Sequence, residues 1–79
     1  MYFVYVLQSL HHDFRYTGMT QNLERRLSQH DRGSTSSTKF YAPFVIIHSE
    51  AFESSNEART REKYLKSAAG RRWIKEKYP

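Results

Sequence analysis

Residues Tyr16 to His30 read YTGMTQNLERRLSQH. YTG is a short extended piece, and Thr20 or Asn22 ahead of LERRL is a good N-cap type, so a strand runs here into a helix. With Leu23 set at zero and ~100° per residue, Leu27 falls near ~40°, Arg26 near ~−60° and His30 near ~−20°. An imidazole therefore lies inside the apolar stripe, and a guanidinium lies on its border. Each alone has a structural explanation. A histidine near a helix C-terminus suits the macrodipole, and an arginine can lay its stem on the core while its head reaches water.

Outward from this stretch the chain resolves into one α+β domain. Tyr2 to Leu7 (YFVYVL) reads as a strand, with Phe3, Tyr5 and Leu7 on one face and Tyr2, Val4 and Val6 on the other. QSLHHDF is a polar connection, and Arg15 to Gly18 (RYTG) completes an antiparallel hairpin. Tyr5 and Tyr16 sit mid-strand in its two arms. Gly18 ends the second arm, a place where backbone comes close to another group or needs an unusual dihedral. The helix continues to about His30, where DRGSTSST stops it.

Phe44 to Ser49 (FVIIHS) follows Pro43 as a third strand, and Ser54 with Glu57 has the spacing of a capping box. A second helix then runs to about Lys66. SAAG interrupts it, and Arg71 to Tyr78 forms a short third helix bearing Trp73 and Ile74. The expected order is β-β-α-β-α-α over residues 1–79, a three-stranded antiparallel sheet flanked by helices. On the second helix, with Ala58 at zero, Leu65 falls near ~−20° and Glu62 near ~40°. Glu62 thus shares the packing face, where a lone carboxylate is costly unless it is paired or holds a cation. An ion pair with Arg26 or Arg61, or a helix turned to wet Glu62, would also account for it.

Composition narrows the function classes. A chain of 79 residues suits one domain, and with no cysteine, disulfides and thiolate metal sites are excluded. No segment approaches the ~20 apolar residues of a membrane helix. The N-terminus lacks the features of a signal peptide, so the expectation is a cytoplasmic protein without membrane association. The net charge is +5, and the basic residues from Arg59 onward outnumber Glu62 and Glu76 by eight to two. That localised excess suits a polyanion, nucleic acid above all, although a solvated helix face is the plain alternative.

The residues together resemble the GIY-YIG nuclease superfamily. Val4-Tyr5-Val6 and Tyr16-Thr17-Gly18 are similar to its paired triplets in degenerate form. Arg26, His30 and Glu62 follow in the superfamily's order and spacing. The likeness covers nearly the whole chain. It is greatest to the small stand-alone bacterial members, which are similar to the N-terminal incision domain of UvrC. Val4 stands for the usual Ile, Val6 follows Tyr5 without the leading Gly of the name, and the polar residue found late in many members has no counterpart after Glu62.

That resemblance implies hydrolysis of a DNA phosphodiester with one divalent cation, Mg²⁺ or Mn²⁺, held by Glu62. It implies Arg26 on the transition-state charge, Tyr5 or Tyr16 positioning or deprotonating the water, and His30 orienting that tyrosine or bonding phosphate. The sheet face carrying the two tyrosines and the faces of the two flanking helices would form one catalytic surface, with Arg26, His30 and Glu62 pointing toward the sheet. Gly18, Thr38, Lys39, Arg71 and Arg72 are candidates for contacting nucleic acid. The implied partner is DNA, branched or damaged forms included, with a second protein supplying affinity. The alternative is a non-catalytic nucleic-acid-binding module of the same fold.

Overall fold

The computed structural model describes residues 1–79. Strands β1 (Tyr2–Ser9) and β2 (Arg15–Thr20) precede helix α1 (Leu23–Asp31). A single 3-10 turn at Lys39–Tyr41 leads into strand β3 (Phe44–Phe52), and helices α2 (Ser55–Lys66) and α3 (Ala68–Lys77) close the chain. The sheet is antiparallel with order β2-β1-β3. The expected α+β order holds.

β1 lies in the middle and is buried on both faces, which explains its unbroken apolar run where a half-exposed strand would alternate. Val4 and Val6 turn one way, onto Ala58 and Leu65 of α2 and Ile74 of α3. Tyr5 and Leu7 turn the other way and cluster with Phe44, with Leu23 and Leu27 of α1 packed against them. The two long helical layers therefore cover opposite faces of one sheet.

Local chemistry fixes the helix ends. The Asn22 side chain accepts from Arg25 N at 3.0 Å, and Ser54 Oγ accepts from Glu57 N at 3.1 Å while donating to Glu57 Oε1 at 3.1 Å. The third helix starts earlier than expected. Ser67 ends α2 and caps α3 through Gly70 N at 3.2 Å, so Ala68, Ala69 and Gly70 are helical. Gly70 is no breaker here. A Cβ on it would strike the backbone of Tyr64 and Leu65, so a glycine lets the two helices meet at a sharp corner.

Candidate active site

Register brings the tyrosines together. Tyr5 pairs with Gly18 across the hairpin and Leu7 pairs with Tyr16, so both phenols project to the α1 face with ring centroids 6.4 Å apart. Gly18 serves this arrangement directly. A Cβ there would lie 2.5 Å from the Tyr5 hydroxyl oxygen and 3.0 Å from the Tyr16 ring. The space of its missing side chain is filled by Tyr5, the close approach its place at the end of the strand suggested.

Leu23 and Leu27 seat α1 on this face, and the same stripe delivers Arg26 and His30 to the tyrosines. Arg26 donates from Nε to the Tyr5 oxygen at 3.3 Å and from Nη1 to Gln29 Oε1 at 3.0 Å, so Gln29 steadies the fork. His30 is fully buried, with Nε2 3.2 Å from the Tyr5 hydroxyl. Its other nitrogen, Nδ1, lies 2.8 Å from Thr38 Oγ1. The Tyr16 ring sits beside the imidazole, with centroids 4.9 Å apart. Tyr5, Tyr16, Arg26 and His30 thus form one contiguous group.

The electrostatics follow from burial. Tyr5 is 2 % exposed. Burial pushes its phenol above the ordinary value; the Arg26 bond and charge pull it back, and the charges of Tyr16 and Glu62 add to the rise. Burial, followed by the Arg26 charge, pushes the His30 imidazole below its ordinary value. At rest the pair is a neutral phenol against a neutral imidazole, with a fixed guanidinium beside them.

Glu62 arrives from the other helical layer. Its side chain is 12 % exposed and pairs with Lys66 Nζ at 3.1 Å and Arg59 Nη1 at 3.9 Å, both on its own helix. The expected alternative partners, Arg26 and Arg61, are engaged elsewhere. The charge of its carboxylate contributes to raising the Tyr5 phenol. No three or more His, Cys, Asp and Glu side chains gather as a metal cluster. A lone carboxylate with exposed counterions suits a hard cation that keeps most of its water, as Mg²⁺ and Mn²⁺ do, and does not suit Zn²⁺.

The outer candidates scatter. Thr38, expected on the loop surface, is wholly buried and spent on His30. Lys39 is exposed on the same side, its Nζ 5.2 Å from the Phe40 ring centroid. Arg71 and Arg72 are exposed on α3, in the layer packed against the face opposite the phenols, and most of the basic excess lies there with them. A polar groove lined by Thr20, Gln21, Asn22, Arg25, Arg26 and Gln29 opens beside the tyrosine group. The sequence held no separate signal for Gln29; it follows Arg26 by one helical turn.

A second polar network went unforeseen. His48 Nδ1 lies 2.8 Å from the Tyr78 hydroxyl and its Nε2 2.6 Å from Glu50, which accepts two bonds from Arg61 at 2.9 and 3.1 Å. Burial pushes the Glu50 carboxyl up, and the bonds from Arg61 and His48 outweigh it, leaving it below the ordinary value. The alternation HSE on an edge strand is its only trace in the sequence. It ties the C-terminus to β3.

Comparison with known proteins accords with this geometry. A profile described as the GIY-YIG catalytic domain matches residues 1–78. A UPF0213 protein of Natronomonas pharaonis is 40 % identical over 67 residues, covering 84 % of this chain and 78 % of that one. One from Clostridium perfringens is 37 % identical over 84 % of this chain and 71 % of its own. Another, from Staphylococcus haemolyticus, is 32 % identical over 94 % of this chain and 90 % of its own. No solved structure matches. No helix is long and apolar enough to cross a membrane. With the fold, the paired phenols and the family profile in agreement, the chain belongs to the GIY-YIG family.

Proposed function

We propose that this protein is a metal-dependent DNA endonuclease that hydrolyses phosphodiester bonds, acting inside the cell in repair or recombination. The observation that carries the reading is the Tyr5 hydroxyl held between Arg26 at 3.3 Å and His30 at 3.2 Å. A buried phenol between a fixed cation and an imidazole is suited to proton transfer, and purely structural packing does not require that trio. Tyr5 serves as the base toward water, and Tyr16, less buried, lines the approach. Arg26, steadied by Gln29, presents its remaining donors to phosphate oxygens as charge builds in the transition state. Glu62 would hold one Mg²⁺ or Mn²⁺, exchanging its pair with Lys66 for the ion. When bound, such a cation supplies a Lewis acid for the scissile phosphate and a positive charge that favours the Tyr5 phenolate.

Lys39 and the groove along Arg25 would receive the flanking backbone; Arg71, which lines a cleft with Tyr16, and Arg72 would meet it from α3. Branched or damaged DNA is the proposed substrate, and a partner protein would add affinity.

The test is nicking of labelled linear, flap, branched and damaged DNA with Mg²⁺, with Mn²⁺ and with chelator, beside Glu62→Ala and Arg26→Ala. Cation-dependent cleavage lost in both folded variants is expected. Undiminished cleavage by either one refutes the assignment. The second reading, a binding module that does not cut, draws on the Lys66 pair that already occupies Glu62. It predicts salt-sensitive binding and no cleavage of any substrate.

A further inference from the structure

Thr38 lies outside the residues that touch a substrate, yet its hydroxyl is buried in contact with the imidazole of the proposed site. Five polar groups, Thr38 among them, run in line through four contacts. Thr38 Oγ1 is 3.4 Å from the Thr35 carbonyl and 2.8 Å from His30 Nδ1; His30 Nε2 is 3.2 Å from the Tyr5 oxygen; that oxygen is 3.3 Å from Arg26 Nε. The two ends of the line have fixed polarity. A carbonyl can only accept, and a guanidinium can only donate.

Two wirings are possible. If Nε2 carries the imidazole proton, the Tyr5 oxygen faces two donors, from His30 and Arg26, and the phenol's own proton has no protein acceptor within its buried site. If Nδ1 carries it, every proton finds an acceptor in one direction. Arg26 then donates to Tyr5, Tyr5 to His30 Nε2, His30 Nδ1–H to Thr38, and Thr38 to the Thr35 carbonyl. Buried polar groups are held in the arrangement that leaves none unpaired.

The geometry points to Thr38 as a positioning residue that fixes His30 as the Nδ1–H tautomer, so that Nε2 presents a lone pair to the Tyr5 hydroxyl. The histidine is thereby the acceptor for the phenol's proton. That proton leaves the Tyr5 oxygen for Nε2, and the phenolate left behind faces Arg26. Burial and the Arg26 charge keep the imidazole neutral and its lone pair free. The catalytic consequence rests on the nuclease reading; the tautomer does not, and the two are measured separately.

The experiment uses isotope-labelled histidine and long-range nitrogen–proton correlation spectra of the full chain, beside steady-state nicking of a flap DNA. The wild type is expected to show His30 protonated at Nδ1. Thr38→Val removes the hydroxyl at equal size. It is expected to shift the tautomer toward Nε2–H and to lower kcat at least about tenfold with KM unchanged, part of the 10²–10⁴ a positioned acid–base group contributes. Thr38→Ser restores both readouts, and Thr38→Ala, which also lacks the hydroxyl, replaces the valine variant should that one fail to fold. A wild-type spectrum with the proton on Nε2 overturns the wiring. So does a Thr38→Val protein that keeps the Nδ1–H tautomer and full kcat. A wild type that nicks no DNA while showing Nδ1–H supports the wiring and removes the nuclease reading alone.

Discussion

Gly18→Ala puts one methyl group where the structure has no room for it. The new Cβ would sit 2.5 Å from the Tyr5 oxygen and 2.7 Å from the carbon that bears it. To regain ordinary contact the phenol must retreat roughly 0.9 Å. The retreat is resisted, because Tyr5 is buried and its oxygen already holds Arg26 at 3.3 Å and His30 at 3.2 Å. A shift of that size stretches both bonds beyond useful length. Overpacking of this kind costs about 1–3 kcal/mol, small enough for the chain to remain folded. A displacement near ~1 Å at a reacting group lowers the rate by about 10²-fold. Urea unfolding and flap-DNA nicking, run on one preparation, separate the two effects. A folded Gly18→Ala protein that nicks within about threefold of wild type would refute Tyr5 as the positioned base.

Other expectations follow from the same geometry. Gly70→Ala should be the more damaging alanine: its Cβ meets the Tyr64 and Leu65 backbone, which cannot swing aside as a ring can, so the urea midpoint should fall further than for Gly18→Ala. His48→Ala removes bonds to Tyr78 and Glu50, and should cost about 1–3 kcal/mol in thermal unfolding while leaving nicking intact. Acid should destabilise the fold in two windows. The His30 imidazole is depressed in the fold, so the unfolded chain takes up a proton first, and stability should decline as pH falls below its ordinary value of 6.5. Glu50 is also depressed; its contribution should persist above its ordinary 4.5 and disappear as pH falls through the folded value. Melting temperatures across this range check both, and a flat profile from pH 7 to pH 5 would contradict the His30 assignment. Glu62→Gln should abolish cation-dependent nicking while the urea midpoint changes little, since its counterions Arg59 and Lys66 are largely exposed.

The strands and the starts of α1 and α2 were legible because their signals are local. Aromatic and β-branched runs marked β1 and β3, while Asn22 and Ser54 marked caps that the hydrogen bonds bear out. Helical periodicity placed His30 on the packing face, where it is buried, and Glu62 near Ala58 and Leu65, where it is nearly so. Periodicity says which side of a helix packs, but not which side of a sheet receives it, so the separation of α1 from α2 was hidden. Gly70 was read as a breaker because its use is tertiary: a close crossing with α2 outweighs its helix cost. Thr38 sits in a run of small polar residues where nothing distinguishes a wet hydroxyl from a buried one. Only the meeting of this loop with α1 makes it the partner of His30.

The sheet is a partition. On one side lie the groups that would handle protons, and from the other comes the carboxylate that would hold the ion. Neither half of the chain can assemble the chemistry unaided, because α1 and α2 contribute only once each has docked against the shared strand β1. In a nuclease so divided, a nascent or partly unfolded chain would be harmless to the DNA around it, since the last layer to settle would also arm the enzyme.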